Sequence, residues 1–123
     1  MQLYRKGARA ERELLHFLDS RGCSCVRAAS SGGSITPADI IAMKSGNIFC
    51  FEIKSWAKKP RLDSDKIQRF KSWCDQASGM GFLAWYNQNK WLFLRLQDAE
   101  ANNYGDENWI EMNDFFRIFG LDL

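Results

Sequence analysis

From Ile48 to Lys54 apolar and polar side chains alternate. Phe49, Phe51 and Ile53 fall on one face and Cys50, Glu52 and Lys54 on the other, which is the period of a β-strand. The run before it, Asp39-Ile40-Ile41-Ala42-Met43, is apolar and rich in β-branched residues, and Lys44-Ser45-Gly46-Asn47 between the two carries turn chemistry. The pattern predicts a hairpin in which Asp39 lies beside Glu52. From Lys6 to Arg21 the period lengthens to that of a helix, with Leu14, Leu15 and Leu18 on the apolar stripe and Gly22 as the stop. Glu11 shares the face of these leucines and points inward, whereas Glu13 is turned away from it. A second helix is expected over Asp63 to Ser78, with Ile67, Phe70, Cys74 and Ala77 inside and Gly79 as stop. Two strands follow, Met80 to Tyr86 and Lys90 to Leu96, around the turn Asn87-Gln88-Asn89. Helix, strand, hairpin, helix, strand, strand predicts an α/β fold with a mixed sheet, and no repeat or second domain interrupts it.

The chemistry concentrates where the hairpin is most apolar. A strand buried on both faces does not normally carry two charges at its middle, because an uncompensated buried charge costs several kcal/mol or neutralises. A bound cation removes that cost. Oxygen donors without a histidine or cysteine cluster suit magnesium or manganese rather than zinc. The expected ligands are Asp39, Glu52 and the backbone carbonyl of Ile53, with Lys54 beside them to orient a water and neutralise charge on phosphorus. The fragment Glu52-Ile53-Lys54 alone equally describes a surface hairpin with an ordinary ion pair. Glu11 as a third inward acid favours the functional alternative.

The formal net charge of +2 hides a polarised chain. Residues 1 to 71 carry 14 Lys and Arg against 7 Asp and Glu, and residues 72 to 123 carry 3 against 8. Arg5, Lys6, Arg9, Arg12, Arg27, Lys58, Lys59 and Arg61 surround the acids, as a surface for a phosphate backbone would require, although a solvated basic face has the same composition. The Ser- and Gly-rich stretch Ala28 to Pro37 has no period and is expected to be a mobile loop. Cys23, Cys25, Cys50 and Cys74 have neither zinc-site nor disulfide spacing and are expected to be small buried hydrophobes in a reducing compartment. His16, off the leucine stripe, is expected at the helix surface. No long apolar run suggests a membrane span or signal peptide, so a cytoplasmic protein without membrane contact is expected.

Four stretches together resemble the archaeal Holliday junction resolvases (Hjc) among the restriction-endonuclease-like nucleases with the PD-(D/E)xK motif. They are Tyr4 to Leu14, Val26-Arg27-Ala28-Ala29-Ser30-Ser31-Gly32, Pro37-Ala38-Asp39-Ile40-Ile41-Ala42 and Phe51-Glu52-Ile53-Lys54-Ser55. The match runs in order over roughly residues 4 to 86 and is weak beyond. It implies one nuclease domain over residues 1–123, a restriction-endonuclease-like mixed central sheet flanked by helices, and magnesium-dependent cutting of four-way junction DNA by a homodimer. Manganese would be able to substitute. Glu11 matches the family's N-terminal catalytic acid at the metal, Asp39 and Glu52 its metal ligands, and Lys54 its catalytic lysine. Ser31 matches a catalytic serine of a mobile loop, with Ser30 beside it in an uncertain register. Arg12 and Arg27 match basic positions on the DNA backbone, and Trp73 an aromatic of the dimer interface, with core packing as the alternative. The family motif usually reads Pro-Asp, and here Ala38 intervenes. Two alternatives stay open: a nuclease of this fold with another DNA substrate, and a junction-binding module without catalysis.

The acidic C-terminal region holds one further pattern. Residues 109–116, Trp-Ile-Glu-Met-Asn-Asp-Phe-Phe, resemble the motif that docks on sliding clamps, with Trp109 where glutamine is usual. The alternative is a short amphipathic helix, Asn113 to Phe119, that buries Phe115, Phe116 and Phe119.

Overall fold

The computed structural model of the chain describes residues 2–28 and 36–122, with side chains from residue 7 onward. Six strands form one sheet in sequence order: β1 (Ser24–Arg27), β2 (Ile40–Lys44), β3 (Asn47–Lys54), β4 (Met80–Asn87), β5 (Lys90–Arg95) and β6 (Ile110–Glu111). All neighbours are antiparallel except β3 and β4, which run parallel because helix α2 (Ser64–Ala77) carries the chain across between them. Both tight hairpins are two-residue turns with positive φ at each central residue, Ser45-Gly46 and Gln88-Asn89, which matches the right-handed twist of the flanking strands.

The alternation read from β3 sorts the molecule into layers. Phe49 and Phe51 join Ile40, Ala42, Phe82 and Phe93 beneath α1 (Gln2–Ser20), which contributes Ala10, Leu14 and Leu18, and α4 (Met112–Ile118), which contributes Phe115 and Phe116. On the other face Cys50, Leu83 and Leu94 pack under α2 through Ile67, Phe70 and Cys74, and under α3 (Leu96–Glu100) through Leu96 and Ala99. The result is a mixed sheet flanked by helices, with two cores. Cys23, Cys50 and Cys74 are buried and all four cysteines are free, while His16 is exposed.

Three local differences from the sequence expectation have physical causes. The first helix begins at Gln2 rather than Lys6. The second ends at Ala77 with Ser78 taking the left-handed conformation (φ 54°), and Gly79 serves closeness instead, since a Cβ there would lie 3.0 Å from Cys50 Sγ. The clamp-docking possibility at residues 109–116 is corrected. Phe115 and Phe116 are fully buried, with the Phe115 ring 4.3 Å from that of Phe93 and 4.9 Å from that of Phe82, and Trp109 lies in the second core. These side chains are the floor of the fold and have no surface to offer a partner. Among the described residues no helix is long and apolar enough to cross a membrane.

Candidate functional site

The register of the hairpin places the acids. Ile40 opposes Phe51, so Asp39, one residue outside the strand, faces Glu52. Two backbone bonds extend the ladder to it: Asp39 N–H donates to Phe51 O at 2.7 Å, and Ala28 N–H donates to Asp39 O at 2.9 Å. The additional Ala38 is buried in the second core and leaves Asp39 in this register. The Asp39 carboxylate accepts the Ile53 N–H on Oδ2 at 2.7 Å, which fixes it against the neighbouring strand.

Asp39 and Glu52 are the two buried charged residues among those described, 7% and 5% exposed. Both point to the α2 side of the sheet by strand parity. Two lysines answer them. Lys54 Nζ lies 3.4 Å from Glu52 Oε1, and Lys66 Nζ, from the first turn of α2, lies 3.1 Å from Glu52 Oε2. Lys66 also donates to Pro37 O at 3.0 Å, so it joins β3 to the segment that leads into β2. Its approach to Glu52 is an ion pair, and among the described residues no well-aligned hydrogen bond reaches Oε2. Ser55 Oγ is the other buried side-chain atom left in this condition, so among the described residues unmet polarity gathers at this stretch. Burial raises the pKa of Glu52 above its ordinary value, and Asp39 raises it further, while Lys66 and Lys54 oppose the shift.

Glu11 reaches the site from the opposite layer. It sits on α1 and pairs with Arg27 Nε of β1 at 3.2 Å. Burial raises its pKa, the Arg27 hydrogen bond counters this, and Asp39 adds a further upward push, so the two acids sense one another. Among the described residues, however, no three His, Cys, Asp or Glu side chains converge as ligands for one ion. The physical reason is the sheet itself, since Asp39 and Glu52 point to its α2 side while Glu11 descends on the α1 side. A divalent ion fits the Asp39 and Glu52 pair with the Ile53 carbonyl, because two buried carboxylates opposed across the ladder are the hard oxygen donors such an ion requires.

The remaining expected residues divide by what they touch. Arg9, Arg12, Arg27 and Lys58 are exposed. Lys59 pairs with Asp106, and Arg61 bonds Asn102 and covers the Tyr104 ring at 4.5 Å, so both also staple the segment after β3 to the segment after α3. Trp73 is partly buried against the second core. The side chains of Arg5 and Lys6, and all of Ser30 and Ser31, lie outside the described residues.

Two residues escaped the sequence reading. Lys66 gave a faint signal: Asp63 caps α2 by accepting the Lys66 N–H at 2.8 Å, and a lysine three residues after the cap stands where glutamate would suit the capping box and helix dipole better. Trp56, half-exposed, lies with its ring 5.0 Å from Lys54 Nζ, and Trp85 Nε1 holds its carbonyl at 2.7 Å.

Comparison with known proteins identifies the family. Residues 2–119 match the model of a family described as archaeal Holliday junction resolvase (Hjc). The chain is 30% identical over 122 residues to crossover junction endodeoxyribonuclease Hjc of Methanocaldococcus jannaschii, covering 95% of this chain and 89% of that protein. It is 33% identical over 106 residues to the Hjc of Sulfolobus acidocaldarius, covering 80% and 74%. Among solved structures, Hjc of Archaeoglobus fulgidus, a Holliday junction resolvase, superposes with a TM-score of 0.65 at 24% identity, covering 75% of this chain and 74% of that one.

Proposed function

The chain belongs to the archaeal Holliday junction resolvase (Hjc) family, and from that premise we propose that it is a metal-dependent, structure-selective endonuclease that resolves four-way DNA junctions. The observation that carries this is the buried cross-strand pair of Asp39 and Glu52 with Lys54 beside it. Asp39, Glu52 and the Ile53 carbonyl would hold magnesium, or manganese in its place, with Glu11 as an additional acid, and the ion would supply Lewis acidity toward the scissile phosphate.

The chain's own groups do the rest. Lys54 is partly exposed and sits at the rim of the acid pair, where its ammonium orients a water and offsets charge that develops on the phosphate oxygens. Arg9, Arg12 and Lys58 are exposed and bind backbone phosphates, and so does Arg27 once it shares its charge between Glu11 and DNA. Such contacts recognise the path of the backbone, so selectivity rests on branch shape more than on bases. The Ser30 and Ser31 segment is proposed to approach the cleaved phosphate, and the products are expected to carry 5′-phosphate and 3′-hydroxyl ends.

Paired nicks need two sites, and a homodimer supplies them. Support comes from the α2 side of the sheet near its β1 edge. Val26 and Met43 are 51% and 37% exposed there, on the face that Ile41, Ile48 and Trp73 share, and such a patch is ordinarily covered by a partner.

The test is a labelled four-way junction and a matched linear duplex, each incubated with magnesium and with a chelator. Junction cleavage with magnesium alone is expected. Equal cutting of the duplex would overturn junction selectivity, and tight binding without cutting would favour a non-catalytic binding module.

A further inference from the structure

The site is electrically closed before any ion enters it. Asp39 and Glu52 bring two negative charges, Lys54 and Lys66 two positive ones, and all four lie at one end of β2, β3 and α2. Lys66 is the more enclosed lysine, with its side chain 12% exposed against 25% for Lys54. Its ammonium lies 3.1 Å from Glu52 Oε2 in an ion pair, and it also donates a hydrogen bond to Pro37 O at 3.0 Å. The lysine therefore meets the charge of Glu52 without saturating its lone pairs, and it has a second anchor to which it can retreat.

We infer that Lys66 is a tethered competitor for the divalent ion: it neutralises Glu52 in the metal-free protein and must yield Oε2 when the ion binds. This rests on the metal-dependent nuclease reading above. A divalent ion on Oε2 and an ammonium 3.1 Å from the same atom repel strongly in a partly buried site, where a unit charge a few ångströms away outweighs thermal energy several times over. Lys66 thus weakens ion binding in the resting protein, pivoting on Pro37 O as the ion enters. The same contact holds the turn before Asp39, so the fold keeps the site closed and stable until the ion arrives. Lys54, more exposed and on the other carboxylate oxygen, stays available to the phosphate.

The test is calorimetric titration of the full chain with Mn2+, without DNA, for wild type, Lys66→Met, Lys66→Gln and Lys66→Arg. Removal of the charge should tighten Mn2+ binding by about tenfold or more, and Lys66→Arg, which keeps it, should stay near wild type. Thermal unfolding supplies an independent readout: Mn2+ should raise the midpoint of Lys66→Met more than that of wild type, and a variant that folds only with Mn2+ would support the inference in the same way. Unchanged or weaker Mn2+ binding by Lys66→Met and Lys66→Gln would overturn it and make Lys66 a support for Glu52. If none of the four proteins bound Mn2+, the metal reading would fall first and this inference with it.

Discussion

Asp39→Asn separates the chemistry of the site from its folding. The substitution keeps the shape of the side chain and an oxygen that can accept the Ile53 N–H now held at 2.7 Å. Exchanging a charged acceptor for a neutral one costs about 1 kcal/mol. Against this stands the removal of like-charge repulsion, because Asp39 and Glu52 are opposed in the ladder and both buried. At a carboxylate separation of roughly 5 Å and an effective dielectric constant of ~20, Coulomb's law gives about 3 kcal/mol of repulsion, which Lys54 and Lys66 reduce. The two terms nearly cancel, so in chelator the variant should melt within about 5 °C of wild type. Cleavage behaves differently. Loss of one of the two proposed carboxylate ligands should slow junction cutting by about a thousandfold or more, equivalent to ~4 kcal/mol of transition-state stabilisation. Single-turnover cleavage of a labelled junction measures this, and a gel shift in chelator should show affinity unchanged or slightly higher, since one negative charge leaves a basic surface. Cleavage within about tenfold of wild type would refute the assignment of Asp39.

Three further outcomes follow from the same structure. Phe115→Ala removes a fully buried ring packed against Phe82 and Phe93, so it should cost about 3–5 kcal/mol and lower the melting midpoint by roughly 12–20 °C, which scanning calorimetry would detect. Burial raises the pKa of Glu52 above its unfolded value, so its contribution to stability is largest below the ordinary carboxylate range and is lost as pH rises through the folded value. In chelator Glu52→Gln should therefore be more stable than wild type at alkaline pH, with the difference closing toward acid, while junction cutting is lost. Lys58 is exposed four residues after Lys54, so Lys58→Ala should weaken junction binding and reduce the slope of log affinity against log salt by about one.

What was legible in the sequence was whatever depends on local period. The strand Asn47–Lys54 announced both its faces through simple alternation, and the Ser45-Gly46 turn then fixed which acid opposes which. The helix Gln2–Ser20 showed its inner stripe for the same reason. Where no period exists, the sequence was silent. Leu96–Glu100 is too short to display helical spacing, and Ile110–Glu111 pairs with β5 through only two residues. Lys66 was hidden differently: its partner Glu52 belongs to another layer, and only the crossover from β3 to β4 brings α2 over the acids. The buried aromatic pair Phe115 and Phe116 resembled a docking motif because apolar residues at helical spacing look alike whether they face a partner or a core.

The division of the site between layers has a mechanistic consequence. Glu52, Lys54 and Lys66 are ion-paired where the hairpin meets α2, and Asp39 opposite them is held by the Ile53 N–H. Glu11 is tied instead to Arg27, on the edge strand next to the segment that carries Ser30 and Ser31 in sequence. A DNA phosphate that drew Arg27 toward itself would weaken the Glu11 pair and leave Glu11, which already feels the charge of Asp39, without its cationic partner. On the proposed reading, the two strands would supply the acid pair, and substrate contact at β1 would govern whether Glu11 takes part.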